Sequence, residues 1–227
     1  MPGLQDTIQR RRFLGTLLAS ASVGVAGLAL PLQFGAAKES LPPSPDNSEF
    51  EEWLGKIHGT HRQVFDAPGS NSGLPLVWAR VFLMSNQAVG ADEKDCSAVV
   101  VLRHDGIALG LDSRVWQKYN FPKVFKVTDL VSKAVLKQNP FWEPKEGSLP
   151  LPGMSIDQLQ KSGVLFGICD MALTVISQMV ATKMKLDPAE VKKDWVKGIF
   201  PGIQVVPSGV LAVNRAQEHG CTYCYAG

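Results

Sequence analysis

Charge of one sign is scarce in this 227-residue chain: 23 Lys and Arg stand against 21 Asp and Glu, a net charge of +2. That balance excludes a strongly basic nucleic-acid binder, and no basic patch with interleaved aromatics occurs. An acidic solvating tail is missing too. The chain has neither a Gly-x-Gly-x-x-Gly fingerprint nor a Walker loop, so a dinucleotide or nucleoside-triphosphate site has poor support. No pair of carboxylates stands in an arrangement suited to glycosidase work. Internal repeats and low-complexity segments are lacking. Beyond residue 37 no stretch is long and apolar enough to span a membrane. With 45% hydrophobic residues, 8% aromatic ones and long apolar runs, the composition also excludes disorder.

What is present divides into two parts. Near the amino end, Gln9-Arg10-Arg11-Arg12-Phe13-Leu14-Gly15 leads into nearly uncharged sequence up to Ala37. A basic stretch before a modest apolar one is the pattern of an export signal. The segment resembles a twin-arginine signal, with Arg10 and Arg11 as the pair and Phe13-Leu14 as the apolar residues that follow. Gln9 and Gly15 depart from the usual residues of that motif. The alternative is a retained membrane anchor, for which Phe13 to Leu30 is near the minimum length. Cleavage after Ala37 would remove three basic residues and one acidic residue, leaving twenty of each and a formally neutral domain. The expected organisation is therefore a signal segment over 1–37, a flexible Pro- and Ser-rich lead-in over 38–49, and one domain over 50–227. The expected location is the periplasm, with the membrane involved only through the signal. All four cysteines would enter an oxidising compartment, where disulfides persist.

Within the domain, apolar runs and turn residues alternate. Strands are expected at 63–66, 96–102, 107–111, 164–168, 203–206 and 221–225. Helices are expected over 76–89, 130–136, from Ser155 to Gly163, over 170–184, from Pro188, and over 210–218. Ser155 with Gln158 reads as a capping box, and Asp187-Pro188 as a cap with proline in the first turn. Val99-Val100-Val101-Leu102 is continuously apolar, as suits a strand buried on both faces. Repeated alternation implies an α/β fold: an open, mostly parallel sheet with helices on both faces, a flavodoxin-like or Rossmann-like three-layer arrangement.

Cys169 follows one apolar run and precedes a helix. In an open parallel sheet, ligands bind beyond the carboxyl ends of strands. The unpaired amides and dipole of a helix start favour a thiolate there, while Asp170 would oppose it. The other reading is an inert buried cysteine. His104, after the Val99–Leu102 run, would reach the same rim as ligand or base if the two strands run in parallel. Cys221-Thr222-Tyr223-Cys224 admits a redox disulfide, structural disulfides involving one or both of these cysteines, with Cys96 a further candidate, or metal ligation. His219, Cys221 and Cys224 offer three N/S ligands suited to zinc or copper. On the opposite side, side chains three apart in a strand point to opposite faces. His58 and His61 frame a glycine and read as surface loop. Arg80 lies in an apolar helix, and Met84, Met171, Met179 and Met184 read as core.

Three segments carry a family resemblance: Val99 to Ala108, Val164 to Leu173, and Gln204 through Val210 with Arg215, Ala216 to Gly220 and Tyr223. They are similar to the DsrE/DsrF-like family of small α/β proteins connected with sulfur relay, over roughly residues 60–226. The resemblance implies a persulfide-carrying cysteine at a strand end, which Cys169 matches. It also implies closed homo-oligomers, trimers or hexamers, and a sulfur or redox protein partner. The export signal and terminal Cys-x-x-Cys depart from the family pattern. The leading expectation is an exported thiol-based sulfur-relay or redox protein using Cys169, exchanging with Cys221 and Cys224. A zinc or copper module and a non-catalytic oligomeric binding domain are the alternatives.

Overall fold

A computed structural model describes residues 47–227. The expected signal segment, and the lead-in up to residue 46, lie outside the described residues. The described chain is a three-layer α/β sandwich around a five-stranded, wholly parallel sheet in the order β4-β3-β2-β1-β5. The strands are β1 (His61–Ala67), β2 (Cys96–Leu102), β3 (Leu165–Cys169), β4 (Ile203–Val206) and β5 (Thr222–Tyr225). The helices are α1 (Asn47–Gly55), α2 (Leu74–Ala88), α3 (Ser113–Lys118), α4 (Phe121–Val124), α5 (Ile156–Lys161), α6 (Asp170–Met184), α7 (Pro188–Lys197) and α8 (Gly209–Glu218). None of them is long and apolar enough to cross a membrane.

The two-sided core explains the sequence pattern. Every residue of central β2 is buried. Val100 and Leu102 pack with Phe65, Phe166 and Ile168 under α2, α6 and α7, while Val99 and Val101 pack with Val64 and Val206 under α1 and α8. A strand buried on both faces has no polar side to show, hence the continuous valine run.

Chain direction then fixes where a site can form. From β1 to β4 each step moves the same way across the sheet, and right-handed crossovers put those helices on one face. The last connection runs back from β4 to β5 and lays α8 on the other face. After β3 the chain therefore goes to one side, and after neighbouring β4 to the other. That divergence leaves a crevice at the carboxyl ends of β3 and β4, the usual ligand position in open α/β sheets.

Three local expectations are corrected. Residues 107–111 are not a strand: His104–Gly110 is a 3-10 helix, and only Leu111 bridges, to Ile199. Residues 130–136 are not a helix: Asp129 Oδ1 accepts from the Val131 and Ser132 amides, and Thr128 bridges Val135 across a tight turn. Residues 47–49 of the expected lead-in already belong to α1.

Candidate functional site

Cys169 is the last residue of β3 and the N-cap of α6, and its Sγ accepts from the Ala172 amide at 3.3 Å. Beside it, Ser208 after β4 caps α8, its Oγ accepting from the Leu211 amide at 3.1 Å. Two helix starts thus point into the crevice, each with unpaired amides at its positive end. A cavity of about 480 Å³ occupies this place, within the range of small-molecule pockets. Cys169, Arg103, His104 and Ser208 all line it. Cys169 is 6% exposed, so its sulfur meets the outside through this cavity rather than from an open surface.

Arg103 is the most firmly held polar group on the rim. It leaves the end of β2, and its Nε and Nη2 donate to the two carboxylate oxygens of Asp66 at 2.6 and 2.8 Å. Asp66, near the end of β1, is 3% exposed, and its Oδ2 also accepts from the Tyr223 hydroxyl on β5 at 2.9 Å. The fork pairing with Asp66, helped by charge on Tyr223 and Cys169 and opposed by burial, holds the Arg103 cation above its ordinary pKa. Burial, with the same carboxylate, pushes the Tyr223 phenol up. Asp66, Arg103 and Tyr223 tie three adjacent strands together at the rim and keep one permanent cation beside the Cys169 sulfur.

Gly209, at the first position of α8, lets this arrangement close. A Cβ there would lie 2.5 Å from Cβ of Arg103. Gly106 serves similarly beneath, since a Cβ would run into the Ala67 carbonyl oxygen. The 3-10 segment carrying His104 can therefore press against the end of β1, where the Gly106 amide donates to the Pro68 carbonyl at 3.3 Å.

His104 does share the rim with Cys169. Its side chain is 71% exposed, its Nδ1 lies 3.2 Å from Asp105, and its φ of +47° puts a non-glycine residue in the left-handed region. Asp170, expected to oppose a thiolate, is matched by Lys192 at 2.9 Å.

The other cysteines do not join this site. Among the described residues, which include all four, every cysteine is free. Cys221 packs on the α1–α8 face and Cys224 against the core on the opposite face, so the pleat of β5 parts them. Strand β5 lies three inter-strand steps from β3, roughly 14 Å at ~4.8 Å per step. Cys96, at the start of β2, lies about seven residues down the sheet from Cys169, roughly 23 Å. Among the described residues no group of three or more His, Cys, Asp or Glu side chains is gathered so as to hold a metal. His219, at the exposed end of α8, and the two cysteines after it do not assemble the expected zinc or copper ligand set.

The remaining expectations resolve locally. His58 Nδ1 pairs with the Lys56 carbonyl and the Ser97 hydroxyl at 2.9 and 3.2 Å, and His61 begins β1 at the surface. Arg80 donates to the Pro152 carbonyl at 3.2 Å. Met84, Met171, Met179 and Met184 are not core: they are 40–53% exposed. Met171 and Met179 instead line the cavity with Val175 between them.

The fold and the rim define a class: a doubly wound parallel α/β domain with a cysteine at its crevice and an arginine beside it. Neither the known protein-family models nor the curated proteins give a match to the chain. What the domain does therefore has to be argued from the crevice.

Proposed function

We propose that the protein is a thiol-based sulfur carrier or disulfide-exchange protein that works through Cys169, exported to the cell envelope by its twin-arginine-like segment. The observation that carries this is the position of the Cys169 sulfur. It sits at the end of a buried strand, receives a helix-start amide at 3.3 Å, and faces a cavity that also holds Arg103. An amide donor, a helix start and a nearby cation are the surroundings in which a thiolate nucleophile works. The resemblance to DsrE/DsrF-like relay proteins supports the same residue.

In the forward step the Cys169 thiolate attacks a sulfane sulfur, gains it as a persulfide, and releases the donor's leaving group with its electron pair. An acceptor thiolate then takes the terminal sulfur and frees the Cys169 thiolate. Attack on a disulfide runs alike, forming a mixed disulfide and releasing one thiolate. His104, which lines the same cavity, is the group proposed to pass a proton to or from the leaving sulfur. The reading is placed on Cys169 alone, because β5, which carries Cys224, lies three strands from β3.

The test is mass spectrometry of purified protein after incubation with a sulfane donor, then with a thiol-blocking reagent. Gain of one sulfur atom on the Cys169 peptide, removed by a small thiol and lost in Cys169→Ser, is the expected result. A protein that gains neither sulfur nor a mixed disulfide at Cys169 ends the proposal.

A further inference from the structure

The cavity has two kinds of wall, and together they narrow the chemistry of what Cys169 meets. One end is polar: Arg103, with Nε and Nη2 fixed on Asp66, keeps Nη1 without a protein partner among the described residues, and the only acid lining the cavity beside it, Asp105, pairs with His104 at 3.2 Å. The long side is apolar until Lys183 at its far end. Met171, Val175 and Met179 recur every fourth residue along α6, are 40–53% exposed, and all line the cavity. Val124 from α4 and Val210 from α8 continue the apolar surface on either side. Four residues along a helix advance about 6 Å on one face, so the stripe extends roughly 12 Å from the sulfur. A small inorganic sulfur oxyanion would use the arginine and leave this side wet.

We propose that the donor bound beside Cys169 is an organic sulfur anion, an aryl or alkyl thiosulfonate, with its apolar group along α6 and its sulfonyl oxygens on Arg103. This deepens the sulfur-carrier reading of Cys169 and rests on it. The Cys169 thiol first gives its proton to solvent. The thiolate then attacks the outer sulfur of R–SO2–S⁻, an S–S bond forms to Cys169, and the bond from that sulfur to the sulfonyl sulfur breaks. The electron pair leaves on the sulfinate R–SO2⁻. Two negative charges enter and two leave, on persulfide and sulfinate, and no outside oxidant or reductant is needed. Arg103 faces the group on which the leaving charge collects. Asp66 and Tyr223 are positioning residues that hold the guanidinium in place.

The test compares benzenethiosulfonate with thiosulfate as sulfur donors to the full chain. Loading of Cys169 is followed by mass spectrometry, and each rate is divided by that of glutathione with the same donor to remove intrinsic reactivity. Burial of a phenyl group predicts a normalised preference for the aryl donor of about tenfold or more. Val175→Gln is a neutral change at a half-exposed position. It should lower aryl loading several-fold and leave thiosulfate loading nearly unchanged. Arg103→Gln should slow both donors, with Arg103→Lys intermediate because the charge stays while the fork is lost. Equal normalised rates for the two donors, or indifference of aryl loading to Val175→Gln, overturn the inference and leave the Cys169 reading standing. If neither donor puts sulfur on Cys169, the inference falls together with the sulfur-carrier reading.

Discussion

Single residues decide whether the crevice can form at all, and Gly209 shows how opposing effects are weighed. Alanine is the better helix former by up to about 1 kcal/mol, so Gly209→Ala at the start of α8 would be expected to stabilise. The new Cβ, however, would stand 2.5 Å from Cβ of Arg103, a stem atom that cannot swing aside as a side-chain tip can. Overpacking of that kind costs about 1–3 kcal/mol and outweighs the propensity gain. Gly209→Ala should therefore lower the melting temperature and displace Arg103, and a thermal melt that rises would refute this. Cys221 gives the opposite kind of residue-scale expectation. Burial, only partly offset by Arg62, pushes its thiol up to about 11. At pH 8 roughly one molecule in a thousand then carries the thiolate. Iodoacetamide should leave Cys221 unmodified in the folded protein and label it once denaturant is added, as read by peptide mass mapping. Rapid labelling under native conditions would show that the α1–α8 face is not closed over this sulfur.

Between elements, two buried polar anchors hold the scaffold on which the rim depends. The Asn139 side-chain amide donates to the carbonyls of Ala108, Leu109 and Leu111, and its oxygen accepts from the Phe141 amide at 2.9 Å. It fixes the far end of the 3-10 segment that begins at His104. Asn139→Leu would remove this partner from the Leu109 and Leu111 carbonyls and the Phe141 amide, while Ala108 keeps the Trp116 indole at 2.9 Å. The expected loss is about 3 kcal/mol, measurable by urea unfolding. A loss under 1 kcal/mol would show that the segment holds itself. Asp194 on α7 accepts from Arg114, Lys118 and Tyr119, tying α7 to α3 and its C-cap. Burial resists its ionisation, yet those three donors bring the carboxyl down to about 2. A depressed carboxyl contributes stability above the unfolded value of 3.8 and loses it as pH falls towards 2. That contribution is about 2 kcal/mol at neutral pH. Wild type should therefore lose more stability than Asp194→Asn between pH 4 and 2, and parallel acid titrations of the two proteins would exclude it. These anchors also show what could be read from the sequence. Elements with a cap and a clear period, such as Asp170–Met184 and Asp187 with Pro188–Lys197, were readable from local chemistry alone. Ile107 to Leu111 looks like a strand because it is apolar and short. It becomes a 3-10 helix because Asn139, about thirty residues away, takes up its carbonyls. A window of neighbouring residues holds no trace of such a partner.

At the scale of the whole molecule, strand order decides what the sulfurs and charges can do. Cys169 was readable as a rim residue because a strand end before a helix start is local information. The Asp66–Arg103–Tyr223 cluster was not, because it requires β5 to return beside β1. Its one trace in sequence is a charged residue at the end of each of two apolar strands. The same return sets Cys224 three strands from Cys169, and the pleat puts Cys221 and Cys224 on opposite faces. A disulfide needs Cα atoms within about 7 Å. Joining Cys169 to Cys224 would mean pulling β5 out of its pairing with β1, where four residue pairs are in register. Joining Cys221 to Cys224 would mean turning one of them through the sheet. Oxidation should therefore proceed outward from the crevice, onto a small thiol, and not inward between cysteines of one chain. Incubation with oxidised glutathione, followed by non-reducing peptide mapping, should give glutathione on Cys169 and no peptide linking two cysteines of the same chain. The absence of glutathione at Cys169 would count against its sulfur as a nucleophile, whereas a Cys169–Cys224 or Cys221–Cys224 linkage formed without denaturant would mean that the edge strand opens. The crevice would then be a relay between two thiol sites instead of a single nucleophile facing its substrate.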